Sequence, residues 1–139
     1  MLRSEDESVK PAFARKRLKT MPYLIETYDK VDHQSHRQRI RPVHLEYLEM
    51  NKNKLLASGA KLDDAGQNAS GGIYILDTES RSDAEAFILE DPFTKAELFQ
   101  PIEITRWRKA YFNFESYLRS ADSPASSSPY LSPQRKNRR

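Results

Sequence analysis

The order of patterned segments between residues 22 and 107 is the feature that most limits what this chain can fold into. Four short segments, rich in β-branched and aromatic residues or alternating between apolar and polar side chains, predict strands at 23–28, 54–62, 73–77 and 101–107. Two segments with apolar residues every three or four positions predict helices, one following Ser35 and running through residue 50 and one at 83–90. The resulting order is strand, helix, strand, strand, helix, strand.

This order predicts an α+β domain with the ferredoxin-like βαββαβ arrangement, in which two helices cover one face of an antiparallel sheet. The opposite face of the sheet is then left open. A domain of about 90 residues has a small core, so apolar side chains on an open face would be costly in water. The expected solution is a homodimer in which two sheets pack face to face, as in a dimeric α/β barrel.

The connections contain residues that favour turns and helix ends. Ser35 is expected to cap the first helix, and Ser80 or Ser82 the second. Pro42 either kinks the first helix or marks the start of its main body. The small and polar residues of 63–72 predict a long loop between the second and third strands, and long loops often belong to functional sites.

The net charge of +3 belongs to the ends of the chain rather than to its middle. Residues 1–20 carry a net +3, residues 21–119 a net −3 and residues 120–139 a net +3. We expect a disordered basic arm at 1–20, one domain at 21–119 and a disordered, Ser/Pro-rich basic tail at 120–139. Nucleic acid is therefore not an expected partner, except for weak contact through the tails.

Four aromatic residues follow the last predicted strand, namely Tyr111, Phe112, Phe114 and Tyr117. They are too many for a free tail, and they predict a short helix that packs against the domain or a neighbouring subunit. Stacking against nucleic-acid bases is the alternative.

The composition excludes several classes of protein. The chain contains no cysteine, which excludes disulfides, thiolate metal sites and cysteine nucleophiles. No apolar run approaches the ~18 residues that span a bilayer, and no signal-like stretch opens the chain. A soluble, cytoplasmic protein is expected, with a nuclear location through the basic ends as the alternative. Hydrolase, kinase and dehydrogenase functions lack support, because their nucleophile, phosphate-binding and dinucleotide motifs are missing.

His44 lies on the apolar side of the first predicted helix. Ile40, His44 and Leu48 follow one another at i, i+4 and i+8, with Val43 and Tyr47 alongside. The imidazole is therefore expected to be partly buried. From spacing alone, both a structural histidine that donates to a carbonyl and a catalytic one fit the pattern.

Several short motifs, in this order and spacing, resemble the YciI-like (YCII-related) family over about residues 21 to 108. The motifs are Met21-Pro22-Tyr23, Arg41-Pro42-Val43-His44-Leu45-Glu46-Tyr47-Leu48, Leu55-Leu56-Ala57-Ser58-Gly59, Leu62-Asp63-Asp64, Gly71-Gly72 and Glu90-Asp91-Pro92-Phe93. The resemblance implies a ferredoxin-like dimeric α/β barrel, similar to that of muconolactone isomerases. It also implies a histidine–aspartate pair in a pocket that has been proposed as an active site. One branch of the family includes a dehydrochlorinase that acts on a chlorinated hydroxyhydroquinone.

The resemblance assigns the histidine of that pair to His44 and its carboxylate to Asp91, with Asp63 and Asp64 as the competing acids. A carboxylate beside an imidazole fixes its tautomer and leaves the other nitrogen free to transfer protons near neutral pH. This suits proton abstraction next to a carbonyl, isomerisation or elimination. Arg41 and Ser70 are candidates to bind an anionic oxygen of the substrate. Each also has a plainer role, Arg41 as a solvated residue of the helix start and Ser70 as a loop cap.

No metal or cofactor is expected. His33 and His36 are three residues apart and could approach a shared ion, but they lie in a polar stretch without a nearby patterned carboxylate. A metal held by His44 with one of the aspartates is the remaining alternative.

Two functions of different classes follow. The first is a cofactor-independent lyase or isomerase, dehydrochlorinase-like, acting on a small aromatic or carbonyl substrate through His44 and Asp91. The second is a non-catalytic dimeric module that binds a small ligand or serves as a scaffold, with basic tails that contact acidic partners. A domain that has lost its activity is a third case.

Overall fold

The structure is a computed structural model that describes residues 21–118. The basic arm expected at 1–20 and the tail expected at 120–139 lie outside the described residues. The chain divides into two compact units, the first ending at Arg108 and the second beginning at Lys109.

The first unit contains four strands and three helices in the predicted order. The strands are β1 (Tyr23–Asp29), β2 (Leu55–Leu62), β3 (Ala69–Leu76) and β4 (Phe99–Arg106). The helices are α1 (Gln34–Met50), α2 (Arg81–Glu90) and the one-turn α3 (Pro92–Lys95), and a 3₁₀ turn at Lys52–Lys54 precedes β2. None of the helices within residues 21–118 is long and apolar enough to cross a membrane.

The four strands form one antiparallel sheet in the order β2-β3-β1-β4. This confirms the predicted α+β, ferredoxin-like fold of the dimeric α/β-barrel class. Alternate residues of the central strands point toward the helices, so Ile25 and its cross-strand partner Tyr74 are buried. The helices contribute Phe87, Ile88 and Phe93 to the same core, and α2 buries the face that its sequence period predicts.

The other face of the sheet carries the alternate set of side chains. Leu24 of β1 pairs with Ile75 of β3, and Ile75 pairs with Ala57 of β2. Further along the strands, Glu26 and Ile73 are directly opposite each other. Ile73 is exposed, so this face presents apolar side chains to the surroundings of the single chain.

The helix ends agree with the predictions in part. Ser80 caps α2, since its hydroxyl oxygen accepts a hydrogen bond from the backbone N–H of Asp83 over 3.1 Å. The cap expected from Ser35 is wrong: α1 begins one residue earlier, at Gln34, and His33 occupies the cap position without a side-chain bond. Pro42 lies inside one continuous helix rather than at the start of its main body.

The loop between β2 and β3 is shorter than predicted. β3 begins at Ala69, so only residues 63–68 connect the two strands. The misassigned residues include Gly71 and Gly72, which read as turn formers but lie in the sheet. A Cβ atom at Gly71 would clash with the backbone carbonyl of Thr27, so glycine allows β3 to approach β1 closely here.

The second unit, as far as residue 118, contains a hairpin rather than the predicted short helix. Its strands are β5 (Tyr111–Phe112) and β6 (Glu115–Ser116). Asn113 and Phe114 form the two-residue turn, both with positive φ angles of 55° and 67°. Two successive positive φ values are typical of the type I′ turn, which joins antiparallel strands.

Candidate functional site

His44 lies in the second half of α1 and is almost fully buried. Its helix face is the one predicted, because Ile40 and Leu48 pack against the core on the same side. The imidazole stacks on the ring of Phe93, with 3.9 Å between the ring centroids and 18° between the ring planes. Packing against Phe93 therefore fixes the orientation of the imidazole plane.

Asp91 is the residue between α2 and α3, and its side chain is completely buried. Its extended backbone, with φ −65° and ψ 131°, is the conformation favoured before a proline, and Pro92 follows it. Asp91 Oδ1 accepts a hydrogen bond from the backbone N–H of Phe93 over 2.8 Å, which caps α3. The sequence Asp-Pro-Phe thus turns the aspartate side chain inward.

The structure brings His44 and Asp91 together. His44 Nδ1 lies 2.9 Å from Asp91 Oδ1 and 3.1 Å from Oδ2. The hydroxyl of Tyr74 donates to Asp91 Oδ2 over 2.9 Å. Because an ionised carboxylate only accepts hydrogen bonds, this geometry places a proton on Nδ1 and leaves Nε2 as the unprotonated nitrogen of the neutral ring.

Tyr74 is a partner that the sequence did not indicate. Burial raises the pKa of its phenol above the usual range, and the negative charge of Asp91 adds to the effect. Tyr74 therefore stays protonated and remains a hydrogen-bond donor to Asp91. Nothing in its own strand pattern distinguishes it from an ordinary core tyrosine.

A cavity of about 150 Å³ lies beside His44, between α1 and the strands β2 and β3. Its polar or charged lining residues are Arg37, Arg41, His44, Ser58 and Tyr74. The others are Leu45, Leu48, Gly59, Ala60, Gly72 and Phe93. No carboxylate lines this cavity, and since Nδ1 is bound to Asp91, Nε2 is the histidine nitrogen available to a molecule inside it.

Arg37 is a second residue that sequence reasoning missed. It is buried, and its Nε donates to Asp29 Oδ2 over 2.7 Å in an ion pair. It also donates to the backbone carbonyl of Gly71 over 3.1 Å, and its guanidinium lies 4.7 Å from the centroid of the Phe93 ring. The Phe93 ring thus contacts both Arg37 and His44. The sequence signal that could have identified Arg37 is its spacing from His44, because it precedes His44 by seven residues, about two helical turns.

The other residues named from the sequence lie in three places. Arg41 lines the His44 cavity and is exposed at its edge. Asp63 and Asp64 are exposed in the β2–β3 loop, where Asp63 accepts hydrogen bonds from Gln67 and Asn68 and does not contact His44. These bonds hold the pKa of Asp63 below its usual value. Ser70 lines a separate cavity of about 190 Å³, beside the β1–α1 connection.

The cavity next to His44 is smaller than a cleft of about 680 Å³ at the C-terminal end of α1. That cleft is lined by three acids, Asp77, Asp83 and Glu90, and by no histidine. Tyr47 also lines it, and burial raises the pKa of Tyr47 to about 12. Size alone favours this cleft, but of the two it is the His44 cavity that contains a histidine with a carboxylate partner, so we place the candidate site there.

The two remaining histidines use their ring nitrogens within the protein. His33 Nδ1 lies 2.8 Å from the carbonyl of Val31. His36 Nε2 lies 2.7 Å from the carbonyl of Ala96, and its Nδ1 is 3.1 Å from Arg39. Among residues 21–118, no group of three or more His, Cys, Asp or Glu side chains is arranged to hold a metal ion.

Comparison with known proteins identifies the domain. The model of the YCII-related domain family matches residues 21–108. The chain belongs to this family. Its relatives include Protein YciI of Escherichia coli O6:H1 (strain CFT073), which is 26% identical over 98 residues, covering 66% of this chain and all of the relative. Protein YciI of Shigella flexneri matches with the same identity and coverage.

A solved structure of a family enzyme is also similar. It is 5-chloro-2-hydroxyhydroquinone dehydrochlorinase from Burkholderia phenoliruptrix AC1100, in complex with 2,5-dihydroxybenzoquinone. The two chains are 32% identical, with a TM-score of 0.59 over 63% of this chain and 94% of the enzyme. The predicted family and fold are both confirmed by these matches.

Proposed function

We propose that this YCII-related protein is a cofactor-independent lyase or isomerase in which His44 transfers protons and Asp91 orients it. The observation that carries the proposal is the pair of distances from His44 Nδ1 to the Asp91 carboxylate, 2.9 Å and 3.1 Å, next to a cavity that His44 lines. A general base needs a free nitrogen within reach of the substrate and a partner that stabilises the imidazolium once it forms. Nε2 and Asp91 meet these two needs.

The reaction class follows from the chemistry of such a pair. Nε2 of His44 removes a proton from a carbon next to a carbonyl, and the electron pair left behind forms a new double bond. In an isomerisation the proton is returned at another carbon. In the dehydrochlorination of a hydroquinone, a hydroxyl proton first moves to the carbon that carries chlorine, which gives a keto form. Nε2 of His44 then takes the proton of the para hydroxyl, the ring electrons shift to form a quinone, and chloride leaves with the electron pair of the C–Cl bond. Acid–base assistance of this kind contributes on the order of 10²–10⁴-fold to a rate.

The similarity to the dehydrochlorinase supports the elimination. That enzyme acts on a chlorinated six-membered ring, as its name states, and it shares 32% of its residues with this chain. We therefore propose a small ring with hydroxyl or carbonyl groups as the substrate of the His44 cavity. The proposal gives no role to Asp63, Asp64 or Ser70, because these residues do not line the His44 cavity.

The test is chloride release from 5-chloro-2-hydroxyhydroquinone by the purified full chain. We expect release above the buffer rate for the wild type and a rate at the buffer level for His44→Gln. A wild-type chain that releases no chloride refutes the dehydrochlorinase assignment. A His44→Gln variant as active as the wild type refutes the role of His44.

We also propose that the protein is a homodimer formed through the open face of the sheet. Leu24, Ile75, Ala57 and Ile73 give this face an apolar patch. At its polar end, Lys61 Nζ donates to Glu26 over 3.1 Å, and Glu103 of β4 lies opposite Glu26 and accepts a hydrogen bond from the Tyr28 hydroxyl. A second copy that covers the apolar patch would remove its side chains from water.

A further inference from the structure

The His44 cavity limits the size of its ligand. Its volume is about 150 Å³, and a protein cavity of about this volume holds a single benzene ring. Two fused rings would not fit without movement of α1 or β2. The cavity therefore selects a molecule with one ring, and a substituent larger than a few atoms has to extend toward the open edge.

The charged side chains that line the cavity are both positive. Its lining includes Arg37 and Arg41 and no carboxylate. Arg37 is compensated by Asp29, 2.7 Å away. Arg41 makes no ion pair and no hydrogen bond with any residue of the described range 21–118. The ionised Asp91 lies behind His44 and Tyr74 and does not line the cavity, so Arg41 is the charged group at the cavity edge that a ligand can pair with.

Arg41 is also placed to act together with His44. The two residues are three positions apart on α1, which puts them on the same helix face with about 5–6 Å between their Cβ atoms. An anionic group bound by Arg41 at the edge directs the rest of a ring inward, toward Nε2. Ser58 lines the same cavity and offers a hydroxyl donor on the β2 side.

We infer that the His44 cavity binds a ligand with one six-membered ring and one anionic oxygen group, and that Arg41 is the residue that selects for this charge. The inference rests on the proposed function in one respect, namely that the substrate occupies the His44 cavity. A guanidinium recognises an anionic oxygen through charge-assisted hydrogen bonds, which are stronger than those to a neutral group.

Benzoate and benzamide are the probes that test this inference. Both have one planar ring with a substituent of the same size, and only benzoate is charged at neutral pH. Titration of the full chain with each probe, followed through the imidazole NMR signals of His44, gives both the affinity and the location of binding. We expect benzoate to shift the His44 signals and to bind on the order of tenfold more tightly than benzamide, a difference of about 1.4 kcal/mol.

Two arginine variants show whether Arg41 is the cause. Arg41→Gln should weaken benzoate binding on the order of tenfold and leave benzamide binding unchanged. Arg39→Gln is the matched control, because Arg39 is exposed on the same helix but does not line the cavity, and it should preserve the preference. The inference is overturned if benzoate leaves the His44 signals unshifted, if both probes bind equally, or if Arg41→Gln keeps the preference for benzoate.

The outcome is independent of turnover, since binding is measured at equilibrium. A chain that prefers benzoate through Arg41 but releases no chloride supports this inference and refutes the proposed dehydrochlorination. A chain that releases chloride through His44 but binds both probes equally supports the proposed dehydrochlorination and refutes this inference.

Discussion

The hydroxyl of Tyr74 donates a hydrogen bond to Asp91 Oδ2 over 2.9 Å, and Asp91 is completely shielded from solvent in the core. The bond joins the centre of β3 to the residue that separates α2 from α3. Together with His44 Nδ1 and the Phe93 N–H, it surrounds the carboxylate with donors. A buried charge is tolerated only when its hydrogen bonds are satisfied in this way.

Tyr74→Phe should therefore lower the free energy of unfolding by about 1.5–3 kcal/mol, the range for hydrogen bonds to charged groups. Urea denaturation measures the change. Tyr47→Phe is the comparison, because the Tyr47 hydroxyl donates to the neutral backbone carbonyl of Phe87 over 2.7 Å, and its loss should cost only about 1 kcal/mol. A smaller loss for Tyr74→Phe than for Tyr47→Phe would contradict the interpretation.

The stability of the fold should decrease at high pH. Burial raises the pKa values of Tyr74 and Tyr47 in the folded chain, whereas an unfolded tyrosine ionises near pH ~10. The folded phenols hold their protons where the unfolded chain has lost them, so the free energy of unfolding is unaffected below pH ~10 and falls above it. Urea denaturation at several pH values on either side should show a shallower fall for Tyr74→Phe. An unchanged slope in that variant would show that Tyr74 is not responsible.

Arg37 should be important for stability because its ion pair with Asp29 is buried, with side-chain exposures of 10% and 8%. Arg37→Met leaves the Asp29 carboxylate without its cation and should cost about 3–5 kcal/mol. Lys52→Met is the matched control, since the Lys52–Glu49 pair is 72% and 70% exposed, and it should change stability by less than about 1 kcal/mol. Equal effects in the two variants would mean that the Arg37 pair contributes no more than a surface pair.

The proposed dimer can be tested by sedimentation equilibrium. The wild-type chain should sediment at twice the mass of its 16.2 kDa monomer. Ile73→Lys places a charge within the apolar patch of the open sheet face and should give the monomer mass. Met50→Lys changes an equally apolar, exposed residue at the end of α1 and should leave the dimer intact. A wild-type monomer, or a dimer that survives Ile73→Lys, would contradict an interface on this face.

The fold was largely predictable because its signals are local. Period-two and period-3.6 patterns gave the four strands and the two longer helices in the right order, and the face of α1 that carries His44 followed from Ile40 and Leu48. The errors occurred where tertiary contacts override local preference. Gly71 and Gly72 favour a turn but lie in β3, where Gly71 allows β1 to come close. The aromatic residues after 110 form a hairpin because Asn113 and Phe114 take positive φ angles, which composition does not indicate.

The candidate site was less predictable from the sequence than the fold. Residue spacing placed His44 on a buried face, and the family resemblance favoured Asp91 as its partner, with Asp63 and Asp64 as alternatives. The choice depends on contacts between residues 47 positions apart. Tyr74 and Arg37 were missed for the same reason, because their partners Asp91 and Asp29 become neighbours only when the sheet and α1 have assembled.

The proton position on His44 is the most direct test of the proposed acid–base pair. A ¹H–¹⁵N NMR spectrum of the imidazoles, recorded at a pH where the ring is neutral, distinguishes the two tautomers, and comparison with His44→Gln assigns the signals among the three histidines of the chain. We predict that His44 carries its proton on Nδ1, bound to Asp91, with Nε2 unprotonated, and that Asp91→Asn abolishes this preference. A proton on Nε2 in the wild-type protein would contradict the role of His44 as a base facing the cavity.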